Sequence, residues 1–284
     1  MGTGLSGLPP WRQRVLSWDA RAVLLEHRIA DPRWTARELR IAVLSDLHVG
    51  APWVPLGELE RIAVGIAGLR PDLIVVAGDF LISRWLPARR AAAADIVAAL
   101  SPLAAPLGVF AVLGNHDWRD CDLARATGRK RNAVREALEA SPIRLLENRA
   151  ERLDHGGAFW LVGLDSQKPT HHRNDRAGRH DPDSAFADVP EGAAAILLAH
   201  EPDYFARQDP RAFLQISGHT HGGQANLLGW RPLTPSAHGG RYAWGHIREG
   251  GRHLVVSGGV GYSGLPLRLF QPPEITLVSL TGQG

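Results

Sequence analysis

Five short apolar segments of the chain each end in polar residues that can bind metal ions. Runs rich in valine, isoleucine, leucine and alanine lead up to acids, an amide or imidazoles. The residues that follow the five segments are Asp46 with His48, Asp79, Asn115 with His116 and Asp117, His200, and His219 with His221. Carboxylate, amide and imidazole ligands without thiolates suit a divalent transition metal such as Mn, Fe, Co, Ni or Zn.

The number of candidate ligands indicates two ions rather than one. Two carboxylates, one amide and four imidazoles exceed what one four-coordinate ion can bind, whereas two ions that share a bridging carboxylate can use them all. The candidates are Asp46, His48, Asp79, Asn115, His200, His219 and His221. Two ions about 3.5–4 Å apart stabilise the attacking and leaving oxygens of a phosphoryl displacement. Gly78, Gly114 and Gly218 directly precede ligands, which permits sharp turns and close backbone approach.

The elements that carry these residues must bring them to one place. Residues 40–45, 73–78 and 108–113 are predicted to be buried strands, separated by helices over 57–69 and about 88–100. Alternating strands and helices imply a parallel sheet with right-handed crossovers. Ligands of such sheets bind at the carboxyl ends of the strands, which is where the polar residues lie.

The second half of the chain predicts a second sheet. A helix is expected near 121–140, and an exposed loop over 166–190. The predicted strands are 22–30 near the start of the chain, then 143–147, 150–154, 158–164, 194–198, 213–217, 241–248, 252–257 and 274–280. We therefore expect an α/β fold in which two stacked sheets have helices outside, in α-β-β-α layers, with a dinuclear metal site at the strand carboxyl ends.

The composition excludes several classes of protein. The chain has 284 residues, of which 44% are hydrophobic and 21% charged, so it is neither a disordered tail protein nor a membrane bundle. Its only cysteine, Cys121, excludes an intramolecular disulfide and a zinc site built on several thiolates. A net charge of +3 suits phosphorylated substrates or an anionic membrane surface, and we expect no nucleic-acid partner.

The motifs taken in order resemble those of the calcineurin-like metallophosphoesterases. They read SDLH (45–48), GDF (78–80), GNHD (114–117), AH (199–200) and GHTHGGQ (218–224). The sequences of these motifs most resemble those of a bacterial branch of membrane-associated or exported phosphodiesterases. Relatives of that branch include UDP-2,3-diacylglucosamine pyrophosphatases. Residues 258–280 also resemble the C-terminal end of that branch.

The resemblance implies a role for each motif residue. One ion would be held by Asp46, His48 and His221, the other by Asn115, His200 and His219, with Asp79 bridging them and a hydroxide between the ions attacking phosphorus. His116 would stabilise the transition state or protonate the leaving oxygen, and Asp117 would orient His116. The other histidines, for which we expect hydrogen-bonded or solvated roles, are His27, His155, His171, His172, His180, His238, His246 and His253. His171 and His172 are also candidates for substrate contact.

The loop at residues 80–90, FLISRWLPARR, allows two interpretations. Phe80, Ile82 and Trp85 are many large apolar side chains for an exposed loop, and Arg84 stands among them. They could form an apolar substrate wall or membrane-facing lip beside basic phosphate contacts, with Trp53 and Trp118 on the same edge. Alternatively, the loop packs and closes the domain.

The start of the chain bears on its location. No uncharged apolar run approaches the roughly 18 residues of a membrane span, and no signal peptide or twin-arginine pair is recognised. Residues 11–25 fit either a basic amphipathic segment on a membrane or an arm packed on the domain. We expect a cytoplasmic protein with peripheral contact to the inner membrane, divided into residues 1–39 (N-terminal arm and first strand) and 40–284 (phosphoesterase domain).

These observations predict an enzyme with two divalent transition metal ions, Mn, Fe or Zn, as cofactors. The expected substrate is a phosphodiester or pyrophosphate with an apolar portion, such as the lipid-linked UDP-2,3-diacylglucosamine. A soluble phosphodiesterase or phosphatase acting on nucleotides is the alternative. A metal-binding scaffold without catalysis is the alternative from another class.

Overall fold

The computed structural model describes residues 22–168, 178–207 and 209–282. The strands are β1 (Val23–Ala30), β2 (Leu39–Leu44), β3 (Gly50–Ala51), β4 (Leu73–Ala77), β5 (Arg89–Arg90), β6 (Val109–Val112), β7 (Arg144–Leu145), β8 (Arg149–Asp154), β9 (Ala158–Leu164), β10 (Ala195–Ala199), β11 (Leu214–Ser217), β12 (Gly245–Glu249), β13 (Arg252–Val256) and β14 (Glu274–Thr281). The α-helices are α1 (Leu56–Gly68), α2 (Ala93–Ala99), α3 (Asn115–Arg119), α4 (Asp122–Ala126), α5 (Ala133–Glu139) and α6 (Pro182–Ala185). Short 3₁₀ helices span Pro202–Arg207, His221–Gly223 and Gly239–Tyr242. Most of the amphipathic segment (11–21), together with His171 and His172, lies outside the described residues.

Two six-stranded sheets carry the ligand-bearing turns. The first has the order β1-β14-β2-β4-β6-β7, and its strands β2, β4, β6 and β7 run parallel. The second has the order β12-β13-β11-β10-β9-β8, and its strands β9, β10, β11 and β13 run parallel. Each sheet therefore has a parallel centre, and the candidate ligands follow the carboxyl ends of these central strands.

The sheets stack face to face with helices on both outer sides. Val43 and Phe110 of the first sheet and Ile196 and Ile216 of the second belong to one buried cluster between the sheets. The other face of the first sheet packs on α1, α2 and α5, and the outer face of the second packs on α6. This α-β-β-α arrangement confirms the predicted fold class. No helix in the described part of the chain has the length and apolarity needed to cross a membrane.

Three predicted helices and strands are divided, or begin four residues or more later, in the structure. The helix expected over 121–140 is split into α4 and α5, because Gly128 and Arg129 adopt left-handed backbone and the Asn132 side chain caps α5. The helix expected from 88 begins only at Ala93, because β5 pairs with β3. The strand expected from 241 begins at Gly245, because a 3₁₀ helix precedes it.

Strand β1 forms the edge of the first sheet. It pairs in parallel with β14 along its full length, from Val23 opposite Glu274 to Ala30 opposite Thr281. Residues before position 40 thus contribute directly to the sandwich. The proposed division of the chain between residues 39 and 40 stays a prediction.

A histidine on β1 predicts that stability depends on pH. His27 lies 6.2 Å, centroid to centroid, from the ring of His246, which stacks on His253. Burial and the nearby His246 charge lower the pKa of His27 from 6.5 to about 4. The unfolded chain therefore takes up a proton at this position before the folded chain does, so the free energy of unfolding falls as the pH drops from 6.5 towards 4.

We expect the protonation of His27 in the unfolded chain to lower the free energy of unfolding by about 2 kcal/mol between pH 7 and pH 5. Urea unfolding of the wild type and of His27→Gln at pH 7 and pH 5 measures it, and the variant should lose less stability between the two values. Equal losses in both proteins would contradict this prediction.

Candidate metal centre

The turns that carry the ligands hold the backbone in an unusual conformation. Five of the seven candidates have positive φ angles, between 43° and 71°, and these are Asp46, His48, Asp79, His219 and His221. This left-handed region is uncommon for residues other than glycine, and it persists only where the surrounding structure enforces it. Such strain clusters at functional sites, and here it directs the side chains toward one region at the sheet edges.

Two of the glycines that directly precede ligands allow neighbouring turns to approach each other closely. A Cβ atom on Gly114 would lie 2.2 Å from Asp79 Oδ1, and one on Gly218 would lie 2.5 Å from Asp46 Oδ2. Real Cβ atoms do not approach other atoms this closely, so any larger residue would displace a ligand carboxylate. The close approach expected from the sequence is therefore present at both positions.

The first group of ligand atoms joins both sheets. His48 follows β2 and His221 follows β11, and their Nε2 atoms lie 3.1 Å apart. His221 Nε2 is 3.4 Å from Asp46 Oδ1. The three side chains are buried, and one ligand atom of each lies within 4.8 Å of the others.

The second group shares an acid with the first. His200 Nε2 lies 3.2 Å from Asp79 Oδ2 and 3.2 Å from Asn115 Oδ1. Asp79, His200 and His219 each offer a ligand atom within 4.8 Å of the other two. Because Asp79 Oδ2 is also 3.5 Å from His48 Nε2, its carboxylate lies between the two groups. The structure thus brings together all seven candidate ligands.

Backbone carbonyls determine which ring nitrogens point into the centre without a proton. His48 Nδ1 donates to the Leu81 carbonyl at 3.0 Å, and His200 Nδ1 donates to the Ala77 carbonyl at 2.6 Å. His219 uses the opposite atom, with Nε2 donating to the carbonyl of Pro235 at 3.0 Å. Carbonyl oxygens only accept, so the second nitrogen of each neutral ring keeps a free lone pair toward the cluster. This donor set fits metal ions.

The charges in the cluster also fit cations. Burial lowers the pKa of His48 to about 3 and that of His219 and His221 well below the usual value, so these rings are neutral at pH 7. Burial, together with the nearby Asp79 charge, raises the pKa of Asp46 to about 7. Although burial opposes it, the Asp79 charge raises the pKa of His200 well above its usual value, so His200 can compensate one buried carboxylate. The other carboxylate requires further positive charge, and neutral imidazoles provide none. Divalent cations would supply that charge.

The predicted contact between Asp117 and His116 is wrong. The Asp117 carboxylate accepts backbone N–H groups of the turns, from Asp79 at 2.9 Å, Phe80 at 2.8 Å and Gly114 at 2.8 Å. Its oxygens hold two motif turns together, so neither is left for the imidazole. His116 Nδ1 instead lies 2.7 Å from Asp120 Oδ2. The four-residue spacing, one helical turn, is the sequence signal that could have found Asp120.

Arg119 is a second residue that sequence reasoning missed. Its Nη2 atom is 3.0 Å from His116 Nδ1, and its guanidinium lies against the Asn115 side chain. Only 18% of the side chain is exposed, which places a permanent cation beside the ligand cluster. Its position directly after the GNHD motif was the available signal.

The apolar wall predicted for the loop at residues 80–90 is mostly absent. Phe80 lies in the core under the first sheet, and Ile82 is buried with its side chain against Gly50, so neither can line a substrate site. Trp85, by contrast, is 84% exposed. Arg84 is 3.5 Å from Asp122, so part of its charge is already compensated.

The two tryptophans expected on the same edge behave differently. Trp118 is fully buried and donates from Nε1 to Asp165 Oδ1 at 2.7 Å, so its placement on the crevice edge is wrong. Trp53 donates to the Pro87 carbonyl at 3.1 Å, and its ring lies 6.4 Å from the ring of Tyr262. Trp53 therefore connects the loop that holds Trp85 with the C-terminal part of the chain.

Comparison with known proteins agrees with this geometry. Residues 39–223 match the sequence model of a family described as calcineurin-like phosphoesterase. The chain is 34% identical over 264 residues to the phosphodiesterase YaeI of Escherichia coli (strain K12), covering 90% of this chain and 87% of that protein. It is 30% identical over 244 residues to the uncharacterized metallophosphoesterase YkuE of Bacillus subtilis (strain 168), covering 85% and 78%. It is 28% identical over 292 residues to the UDP-2,3-diacylglucosamine pyrophosphatase LpxG of Chlamydia trachomatis, covering 84% and 83%. The chain therefore belongs to the calcineurin-like phosphoesterase family and is a metal-dependent phosphoester hydrolase.

Proposed function

We propose that this enzyme hydrolyses a phosphodiester or pyrophosphate that carries an apolar portion. The observation that supports hydrolysis at this site is the convergence of the His48 and His221 Nε2 atoms, 3.1 Å apart, beside the buried carboxylates of Asp46 and Asp79. Imidazole nitrogens and carboxylate oxygens gathered this closely are the ligand types that a divalent transition metal binds. The relative LpxG, named for UDP-2,3-diacylglucosamine, supports an acylated nucleotide sugar as the example.

We assign the ligands to two divalent ions on this geometry. One ion would be held by Asp46, His48 and His221, the other by Asn115, His200 and His219, and Asp79 would contact both. When bound, such ions activate water and neutralise the charge of the phosphoester. Manganese, iron and zinc all suit this mixture of oxygen and imidazole ligands.

The chain's own residues supply the remaining steps. His116 lies at the edge of the cluster, with its ring 4.7 Å from that of His48, where it can give a proton to the leaving oxygen. Asp120 positions the His116 ring through its contact with Nδ1. The Arg119 guanidinium, beside Asn115 and His116, is placed to bind a phosphate oxygen.

Two observations bear on the apolar portion of the substrate. Trp85 is exposed on the loop that follows Asp79, and Trp53 links this loop to Tyr262. The burial of Phe80 and Ile82, however, removes two of the three apolar contacts expected there. That burial favours the alternative, a phosphodiesterase acting on nucleotides, so the two candidates must be compared directly. The location of the protein stays a prediction.

Substituting Trp85 separates these candidates. Burying one large apolar side chain against a ligand contributes roughly 1.5–3 kcal/mol, so Trp85→Ser should lower activity on UDP-2,3-diacylglucosamine about ten- to a hundredfold. Hydrolysis of bis(p-nitrophenyl) phosphate with Mn²⁺ should change little, because this ester has no acyl chain to contact Trp85. Val64→Ser, at an exposed site on α1, is the matched control.

The ratio of the two activities is the decisive quantity, and thermal unfolding of the same preparations checks the fold. An unchanged ratio in folded Trp85→Ser would favour the nucleotide-directed enzyme. If the metal-loaded wild type hydrolyses neither ester, the result would favour the third alternative, a metal-binding scaffold without catalysis.

A further inference from the structure

Exposed apolar side chains are concentrated in two loops near the metal centre. Of the ten large apolar side chains that are exposed in the described part of the chain, eight lie within residues 225–233 and 264–270. Leu228 is fully exposed and Phe270 is 72% exposed. The others are Leu227, Trp230, Leu233, Leu265, Leu267 and Leu269. We call these two loops together the apolar face. Concentration of this kind marks an interaction surface rather than ordinary scatter.

Backbone contacts join the two loops into one surface. Asn226 N–H donates to the Leu269 carbonyl at 2.9 Å, and Leu269 N–H donates to the Gln224 carbonyl at 2.7 Å. Beneath them lies a cavity of about 680 Å³ with almost wholly apolar walls. Its lining includes Val23, Leu25, Leu227, Leu228, Trp244 and Phe270. A cavity of this size is in the range that holds a small apolar ligand or chain, about 300–1,000 Å³.

The charge around the apolar face is suited to an anionic surface. Between Asp209 and Glu274 the sequence contains one acidic residue, Glu249, and neither loop contains any. The arginines within the two loops are Arg231 and Arg268. Elsewhere in this stretch, Arg211 is paired with Asp209 and Arg241 with Glu249, so these two pairs add no net charge. Loop tips that carry leucine, tryptophan and phenylalanine with arginine and without acids fit the interface of an anionic lipid bilayer.

The apolar face is connected to the metal centre by side-chain contacts. Gln224, three residues after His221, donates from Nε2 to the carbonyls of Ser263 and Leu265 at 2.8 and 3.1 Å. Arg268 Nη2 lies 3.3 Å from His221 Nδ1 and donates to the Gly258 carbonyl at 2.8 Å. If the apolar face lies on a membrane, these contacts fix the orientation of the metal centre relative to that membrane.

We propose that the apolar face is a membrane-docking surface that inserts Leu228 and Phe270 into an anionic lipid bilayer. Docked in this way, the enzyme presents its metal centre to phosphoesters at the bilayer surface. This last step rests on the proposed function, since it requires a lipid-linked substrate, whereas the docking itself does not.

Vesicle flotation of the full-length protein tests the docking. The vesicles contain equal parts of phosphatidylglycerol and phosphatidylcholine, and vesicles of phosphatidylcholine alone measure the contribution of charge. Each inserted large side chain contributes about a tenfold change in partitioning or more, so Leu228→Asp/Phe270→Asp should bind at least about a hundredfold more weakly. Val64→Asp makes the same change at an exposed site on α1 and should bind like the wild type.

The outcomes separate docking from catalysis. Wild type that does not float with anionic vesicles, or a double variant that floats equally well, would overturn the docking proposal. A double variant with a lower melting temperature and unchanged flotation would show that the chain itself covers the face, and a change in sedimenting mass would show a second copy there. Flotation without hydrolysis of any phosphoester would contradict the proposed function and leave the docking intact.

Discussion

Replacing Asp79 with alanine is expected to remove both metal binding and hydrolysis. The Asp79 carboxylate lies 3.2 Å from His200 Nε2 and 3.5 Å from His48 Nε2, so its loss weakens both ligand groups at once. Metal ions contribute several kcal/mol of charge stabilisation to a phosphoryl displacement. We therefore expect the rate to fall at least about a thousandfold.

Elemental analysis of the purified variant measures the metal content directly. The wild type should retain two ions per chain and Asp79→Ala fewer than one. Asp79→Asn is the matched variant, because it keeps an oxygen for the 2.7 Å hydrogen bond from His116 N–H while it removes the charge. Thermal unfolding of all three proteins in excess chelator compares their folds without metal. Two ions retained in a folded Asp79→Ala would contradict the bridging assignment.

Replacing His116 with alanine is expected to lower kcat while both ions remain bound. The ring contacts Asp120 through Nδ1 and packs edge-on against His48. General acid catalysis typically contributes about 10²–10⁴ in rate, so kcat should fall by that factor with little change in KM. The loss should be smaller for esters of acidic phenols, because such leaving groups depart without a proton.

Asp120→Asn provides the comparison, because it keeps the shape of the side chain and removes the negative charge beside His116 Nδ1. Its loss of kcat should be smaller than that of His116→Ala and should show the same dependence on the leaving group. Rates on a series of aryl phosphodiesters, with metal content measured on the same samples, distinguish the roles. Loss of metal from His116→Ala would identify His116 as a ligand, which the closeness of its ring to His48 and Asp79 makes a meaningful test.

The sequence was sufficient to predict the layered fold and the region where the candidate ligands meet. Buried strands are continuous apolar runs, and residues such as Asp46 and Asp79 stand directly after them. Because parallel strands end at the same edge, residues far apart in sequence converge there without any further information. The roles of the seven ligands toward particular ions remain a proposal.

The bounds of the helices could not be predicted from hydrophobic periodicity, because they depend on backbone conformation and on pairing with remote segments. The region after Cys121 is helical in composition, yet left-handed residues Gly128 and Arg129 divide it. The strand pairing that delays the start of α2 joins Arg90 to Gly50, forty residues away. A backbone pairing of this kind has no signature in the helical segment itself.

Only the tertiary structure decided which polar and apolar side chains are available to a ligand. Phe80 and Ile82 are buried while Trp85 stays exposed, although all three belong to one apolar loop. The Asp117 carboxylate accepts hydrogen bonds from backbone amides of neighbouring turns, and His116 pairs with Asp120 instead. Burial and hydrogen-bond partners depend on segments that are remote in sequence and close in space, and a pattern read along the chain describes only its local neighbours.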